Sequence, residues 1–341
     1  MTRAAACSGC SGVAIVACWL AAACGSRSGL ETCAFGVCAE AGTGGAPLAG
    51  SGGAGALSGS GGAVVPAGSG GTHDGGSSAG DGGNGGEGGT PEEEPPIVLL
   101  LVDGSFSMFA PSVWAPTYEA LLGPGGPVER YQDRVRFGFA GYRGPGQIAE
   151  DDPACADISR VPFAIDNVSS IREVYGKLQT LPGYWETPTG HALSRVTLDL
   201  LAEPPEARKY ILLFSDGAPD TCMTTKPQCG QDRAVFAVQR AFRAGIETRA
   251  IGVGYGTEYD CNPDESRCNV DHFSDLANAG RGRPVEAPPA AYMTLPCVAE
   301  TGGKLLGEYF EYGASEPYHW AESPDELRAA VEATLDEILL D

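Results

Sequence analysis

The sequence predicts an α/β domain with a mostly parallel, doubly wound sheet and helices on both faces, preceded by a long segment that cannot fold alone. Two short apolar runs, residues 97–102 and 210–214, are typical of strands that are covered on both faces. Helical patterns with one apolar face alternate with the strands, and this order is the one that gives parallel sheets. Before residue 97 the chain is dominated by glycine, serine and alanine.

The remaining elements follow in order along residues 97–341. Weaker strand patterns lie at 135–142 and 248–253, and residues 160–165 suit an edge strand. Three helices are predicted from apolar residues that share a face, namely Leu193, Val196 and Leu200, then Val235, Val238 and Phe242, then Leu327, Val331, Leu335 and Ile338. The last helix begins after Ser323 with Pro-Asp-Glu, which combines a capping box with proline at the first helical position.

The folded part is strongly acidic. The chain of 341 residues has 22 basic and 44 acidic residues, and the first 91 residues contain only two and five of them, so residues 92–341 keep 20 basic and 39 acidic residues. A surface of this sign repels nucleic-acid phosphates and anionic lipid head groups. We therefore expect no nucleic-acid partner, and contact with a membrane only through a lipid anchor.

The first 23 residues have the features of an export signal. Residues 13–23 form an apolar run that is too short to cross a hydrocarbon core of about 30 Å as a helix. The run ends in Leu-Ala-Ala-Ala-Cys, which resembles a bacterial lipoprotein signal and implies that Cys24 is lipidated and becomes the mature terminus. The protein is then expected in the bacterial envelope, in the periplasm, the outer membrane or on the cell surface. Cleavage near Ala23 to give a freely secreted protein is the alternative.

Residues 24–96 are interpreted as a flexible linker. Residues 41–90 contain 22 of the 50 glycines and almost no residue that could join a core. A glycine-rich coil of this length spans about 40 Å on average, which would hold the domain of residues 97–341 away from a membrane. Unselected low-complexity sequence is the alternative interpretation.

Oxygen-bearing side chains follow the two buried strands. Asp103, Ser105 and Ser107 alternate after the first strand, Asp216 follows the second, and Thr187 heads the helix between them. Ligands of doubly wound sheets bind beyond the carboxyl ends of the central strands. The sequence therefore predicts that the oxygens that follow the two strands converge on one site.

These segments resemble the von Willebrand factor A domain and its metal-ion-dependent adhesion site, over residues 97–340. The resemblance implies that Ser105 and Ser107 bind a divalent cation directly, that Thr187 binds it directly or through water, and that Asp103 and Asp216 act mostly through waters and hydrogen bonds. Mg²⁺ is the expected ion, with Mn²⁺ or Ca²⁺ as alternatives, and few direct carboxylates leave such an ion electrophilic.

The expected function is cation-dependent recognition of another protein. An open position on the ion would accept an acidic side chain from the partner, and no catalytic group is required, so we do not expect an enzyme. Two alternatives remain open: a metal-assisted hydrolase, which needs a general base that the sequence does not identify, and a structural surface protein whose metal only stabilises the fold. His191, Tyr184 and Trp185 are candidates for residues beside the site.

Six cysteines in the folded part are candidates for disulfides behind an export signal. They are Cys155, Cys222, Cys229, Cys261, Cys268 and Cys297. Six cysteines allow 15 pairings, and the short spacings favour the local bridges Cys222–Cys229 and Cys261–Cys268, which leaves Cys155 with Cys297. Zinc binding is the disfavoured rival, because the spacing of the pairs is too wide for a zinc site. An acidic loop at 260–271 departs from the EF-hand pattern and is interpreted as solvated.

Overall fold

The computed structural model describes residues 94–146, 148–149, 152, 154–181, 186–217, 219–224, 226–254, 269–288 and 304–341. These residues belong to the compact unit Asn84–Asp341. The predicted signal peptide, Cys24 and nearly all of the predicted linker lie outside the described residues, so they remain predictions.

Six strands and seven helices are described. They are β1 Ile97–Asp103, α1 Trp114–Leu122, α2 Pro127–Tyr131, β2 Arg136–Arg143, β3 Asp157–Ala164, α3 Val168–Leu178, α4 Thr189–Leu201, β4 Lys209–Ser215, α5 Pro227–Arg243, β5 Ile246–Val253, α6 Asn269–Gly280, β6 His319–Ala321 and α7 Pro324–Leu340. The five predicted strands and three predicted helices are all present. Among the described residues, α1, α2, α3, α6 and β6 were not expected.

The strands form one sheet in the order β3-β2-β1-β4-β5-β6. Only the pair β2–β3 is antiparallel, and β3 lies at the edge, as its pattern suggested. The strand order reverses between β1 and β4, and this switch point is where doubly wound sheets bind ligands. The predicted doubly wound, mostly parallel sheet is confirmed.

Two layers of helices cover the sheet because successive side chains of a buried strand point to opposite faces. Val98, Leu100 and Val102 of β1 belong to a core that also contains residues of α1, α2, α3 and α7. Ile97 and its alternate neighbours of β1 pack instead with residues of α4, α5 and α6. Every residue of β1 and of β4 is buried, so the ends of these two strands are fixed firmly in the middle of the domain.

The last helix begins close to the predicted pattern. The Ser323 hydroxyl accepts a hydrogen bond from the Glu326 backbone N–H at 3.3 Å, as in a capping box. The Glu326 carboxylate accepts from the N–H of Glu322 at 2.8 Å, one residue before the expected donor. No helix within the described ranges has the length and apolar character required to cross a membrane.

Candidate metal site

The turn after β1 depends on a close backbone contact with β2. The Gly104 N–H donates to the Tyr142 carbonyl oxygen at 2.7 Å. A Cβ atom at position 104 would lie 3.1 Å from the same oxygen, which is tighter than ordinary van der Waals contact. Glycine at position 104 therefore allows the backbone after β1 to lie close to β2.

Four of the five predicted site residues form one continuous chain of hydrogen bonds. Asp103 Oδ1 accepts from the Ser105 N–H at 2.8 Å, and the Ser105 and Ser107 hydroxyl oxygens are 3.1 Å apart. The Ser107 hydroxyl donates to Asp216 Oδ1 at 3.0 Å. The register of β1 and β4 explains this convergence, since Val102 pairs with Phe214 and both strands end at the same level.

Thr187, the fifth residue, lies in a neighbouring segment that is held by its backbone. The residue is buried, and its carbonyl oxygen accepts from the Asp220 N–H at 2.9 Å. The preceding Glu186 exchanges two backbone hydrogen bonds with Gly144, at 3.0 and 3.1 Å. Thr187 is thereby held between the end of β2 and the connection that follows β4.

The two carboxyl groups of the site are hard to ionise together. Burial raises the pKa of Asp103 to about 6, although hydrogen bonds from Ser215 and Ser105 lower it. Burial and the charge of Asp103 raise the pKa of Asp216 to about 7, against the hydrogen bond from Ser107. A positive charge at this point would favour both ionised forms.

The donor set fits a small divalent cation. Mg²⁺ bonds six oxygens at about 2.0–2.1 Å, so neighbouring ligands of an octahedron are about 3 Å apart. The spacing of 3.1 Å between the Ser105 and Ser107 hydroxyl oxygens matches that edge length, and the hydrogen bond from Ser107 to Asp216 suits a carboxylate that acts on a ligand of the ion. Hydroxyl and carboxylate oxygens are also the chemical types that Mg²⁺, Mn²⁺ and Ca²⁺ prefer.

Sequence reasoning missed two supports of the site. The Ser215 hydroxyl donates to Asp103 Oδ2 at 2.6 Å, whereas Ser105 donates to Oδ1, so both carboxylate oxygens are held. The Tyr142 hydroxyl, fully buried, lies 2.8 Å from the Thr189 hydroxyl and joins β2 to the head of α4. The signal that could have identified Ser215 is its position at the end of a strand parallel to β1. No such signal in the sequence identifies Tyr142.

Comparisons with solved structures concern the fold. The pilus adhesin SpaC of Lactobacillus rhamnosus GG is 15% identical, with 72% of this chain and 31% of SpaC covered and a TM-score of 0.42. Manganese-loaded TRAP of Plasmodium vivax is 17% identical over 55% of this chain and 63% of that one, with a TM-score of 0.37. BatB of Bacteroides thetaiotaomicron is 14% identical over 72% of this chain and 100% of its own, with a TM-score of 0.43.

The strand order, with helices on both faces of the sheet, gives the fold class that the resemblance to the von Willebrand factor A domain implies. The chain spans about a third of the length of SpaC, and similarities at these identities and TM-scores carry no argument about function. No protein-family model and no curated protein sequence matches the chain.

One large apolar side chain at the candidate site is exposed. Phe106, between the two serines, is 67% exposed although it is a large apolar residue. Ser107 is exposed and Asp216 is partly exposed, whereas Asp103 and Ser105 are buried. The site therefore has a buried floor and an open side. Tyr184 and Trp185, the other aromatic candidates, lie outside the described residues.

The predicted disulfide pairing is wrong where it can be compared. Cys155 is bonded to Cys222, with 5.7 Å between their Cα atoms, so neither the Cys222–Cys229 bridge nor the Cys155–Cys297 bridge exists. Cys229 is itself disulfide-bonded. Cys261, Cys268 and Cys297 lie outside the described residues, as does most of the acidic loop at 260–271.

His191 lies beside this bridge. Its ring and the sulfurs of Cys155 and Cys222 offer ligand atoms within 4.8 Å of one another. The two sulfurs are bonded to each other, and thiolates are the form in which cysteine binds zinc. The oxidised protein consequently has no zinc site at this cluster.

Proposed function

We propose that this domain binds Mg²⁺ through Ser105, Ser107 and Thr187, with Asp103 and Asp216 acting through waters and hydrogen bonds, and that the bound ion recognises an acidic side chain of a protein partner. The observation that carries the proposal is the unbroken hydrogen-bonded chain from Asp103 to Asp216 at the switch point of the sheet. The ion would supply positive charge and an exchangeable coordination position. This is a binding role, and it requires no general base.

The direction of approach follows from the exposure of the site residues. A partner carboxylate would arrive at the open side, where Ser107 and Asp216 meet solvent, while Asp103 and Ser105 stay beneath. Phe106 would offer apolar contact beside the charge, and aromatic residues of this kind are frequent in protein interfaces. Because the rest of the domain is acidic, it repels carboxylates, and the bound ion would be the place that attracts them.

We further propose that the domain works outside the cytoplasm, in the bacterial envelope. The support is the export-type signal at residues 1–23, the lipidation pattern at Cys24 and the glycine-rich stretch that would act as a stalk. Cys24→Ala should abolish incorporation of labelled fatty acid. No incorporation in the wild-type protein would leave the secreted form as the correct one, and incorporation that persists in the variant would contradict lipidation at Cys24.

The cation site is tested by thermal unfolding in EDTA and in millimolar Mg²⁺. We expect Mg²⁺ to raise the unfolding temperature of the wild-type protein, since a ligand that binds only the folded state stabilises it. Ser105→Ala and Asp216→Ala should remove this increase. Ser170→Ala, an exposed serine on α3, is the matched control and should keep it. Equal stabilisation of all four proteins would refute the site.

The open coordination position is tested with Mn²⁺. Bound Mn²⁺ that keeps an exchangeable water speeds the relaxation of bulk water protons, and a glutamate-containing peptide should reduce this effect by displacing that water. No water exchange on bound Mn²⁺ would support the structural alternative, in which the ion only joins three loops. A peptide that leaves the relaxation unchanged would contradict recognition of an acidic side chain.

A further inference from the structure

The bridge Cys155–Cys222 joins two connections at the same edge of the sheet as the candidate metal site. Cys155 precedes β3, and Cys222 lies between β4 and α5, 67 residues later. Both residues are fully buried. The same two connections also meet through a hydrogen bond from the Ile148 N–H to the Cys222 carbonyl oxygen at 2.9 Å.

The segment that carries Thr187 packs against this bridge. A Cβ atom on Gly144 would lie 2.7 Å from Pro188 Cγ and 3.6 Å from Cys222 Sγ, so Gly144 is packed closely against both. Pro188 follows Thr187 directly. The Asp220 N–H, two residues before Cys222, donates to the Thr187 carbonyl oxygen at 2.9 Å. Thr187 is thus backed by the two connections that the bridge joins.

The other four site residues have a different support. Asp103 and Ser215 end the two central strands, and Ser105, Ser107 and Asp216 are tied to them through side-chain hydrogen bonds. None of these bonds passes through Cys155 or Cys222. Opening the bridge would therefore release one ligand and leave the rest of the site in place.

We infer that the Cys155–Cys222 bridge is a positioning element of the cation site, which acts by holding Thr187 against the other ligands. This inference rests on the proposed cation binding. A position held by a covalent bond between two connections that are far apart in the sequence loses little freedom when the ion binds, and this preorganisation strengthens the binding. The oxidised protein should accordingly bind Mg²⁺ more tightly than a form that lacks the bridge.

The test compares Mg²⁺ affinity in Cys155→Ala/Cys222→Ala with that of the wild-type protein, well below the unfolding temperature of either. We expect the dissociation constant to rise about tenfold, the low end of what loss of a residue that orients a metal ligand costs. Leu335→Ala removes a buried core side chain of α7. It is the control for lost stability and should leave the Mg²⁺ affinity unchanged.

A double-mutant cycle separates positioning from a general loosening of the fold. In a Thr187→Ala background the loss of the bridge should have no further effect on Mg²⁺ affinity, because the ligand it positions is already gone. An equal loss in both backgrounds, or no loss in either, would overturn the inference.

A second variant covers failure of the alanine pair to fold. Gly144→Ala keeps the bridge but forces a Cβ atom into Pro188, and it should weaken Mg²⁺ binding through the same segment. Unchanged affinity in this variant would also contradict the inference. If the wild-type protein itself shows no Mg²⁺ binding, the proposed function fails. This outcome is distinct from the affinity changes expected of the variants.

Discussion

The two sides of the candidate site are built differently. Asp103, Ser105, Ser107 and Asp216 follow two adjacent buried strands and are joined by their own side chains. Thr187 stands on a segment that is fixed by backbone hydrogen bonds and by a bridge between distant parts of the chain. We call these the strand-end side and the loop side. The comparison teaches that one site can combine residues fixed by buried strands with a residue fixed by backbone hydrogen bonds and a disulfide.

The largest effect should come from the core beneath the strand-end side. Leu213 of β4 is fully buried, and Leu213→Ala should lower the free energy of unfolding by about 2–5 kcal/mol. Chemical denaturation in EDTA measures this loss. The folded protein should keep its Mg²⁺ affinity, because the hydrogen bonds among the site side chains are intact. Affinity that falls together with stability would break the comparison, since the strand-end side would then be no more rigid than the loop side.

A smaller effect is expected from pH in the absence of metal. The raised pKa values of Asp103 and Asp216, about 6 and about 7, mean that the folded state binds more protons than the unfolded chain between about pH 4 and 7. The free energy of unfolding should therefore fall as the pH rises through this range. Asp216→Asn should flatten this fall in EDTA, as should millimolar Mg²⁺ for the wild-type protein. Identical pH profiles for variant and wild type would show that Asp216 ionises as freely as an exposed carboxyl.

The smallest effect is predicted on the loop side. Thr221 is buried, and its hydroxyl accepts from the N–H groups of Met223 and Thr224 at 3.3 and 3.1 Å. Thr221→Val keeps the shape but loses the acceptor, which should cost about 1 kcal/mol of stability. Mg²⁺ affinity should fall slightly, because Asp220 and Cys222 flank this residue. An affinity loss larger than that of the bridge-less variant would mean that the local turn, and not the bridge, positions Thr187.

The same division explains what the sequence predicted. The strands β1 and β4 are continuous apolar runs, and the oxygen-bearing residues follow them directly, so their meeting at one edge follows from parallel topology. Four of the five proposed site residues were brought together by that rule. Thr187 was chosen by resemblance, and its support by Gly144 and Asp220 is not visible in the sequence because it depends on how three separate connections fold over the sheet.

The wrong disulfide pairing has a related cause. A spacing of seven residues favours a local bridge when only loop closure is considered. Because β3 is antiparallel to β2, however, the connection between these two strands stays at the carboxyl edge of the sheet, and Cys155 in this connection meets Cys222 there. The strand β6 has only three residues and α1 contains Pro116 and begins without a side-chain cap, so neither element has a clear signal in the sequence.

The edge strand β3 also bears on how many copies of the domain could be displayed together. The unpaired backbone groups of an edge strand can pair with a strand of another chain, and charged residues and proline on the edge strand prevent this pairing. β3 carries both, since Pro162 lacks an amide hydrogen and Arg160 stands partly exposed beside Asp199. Neighbouring copies of the domain would therefore be discouraged from pairing edge to edge into fibres.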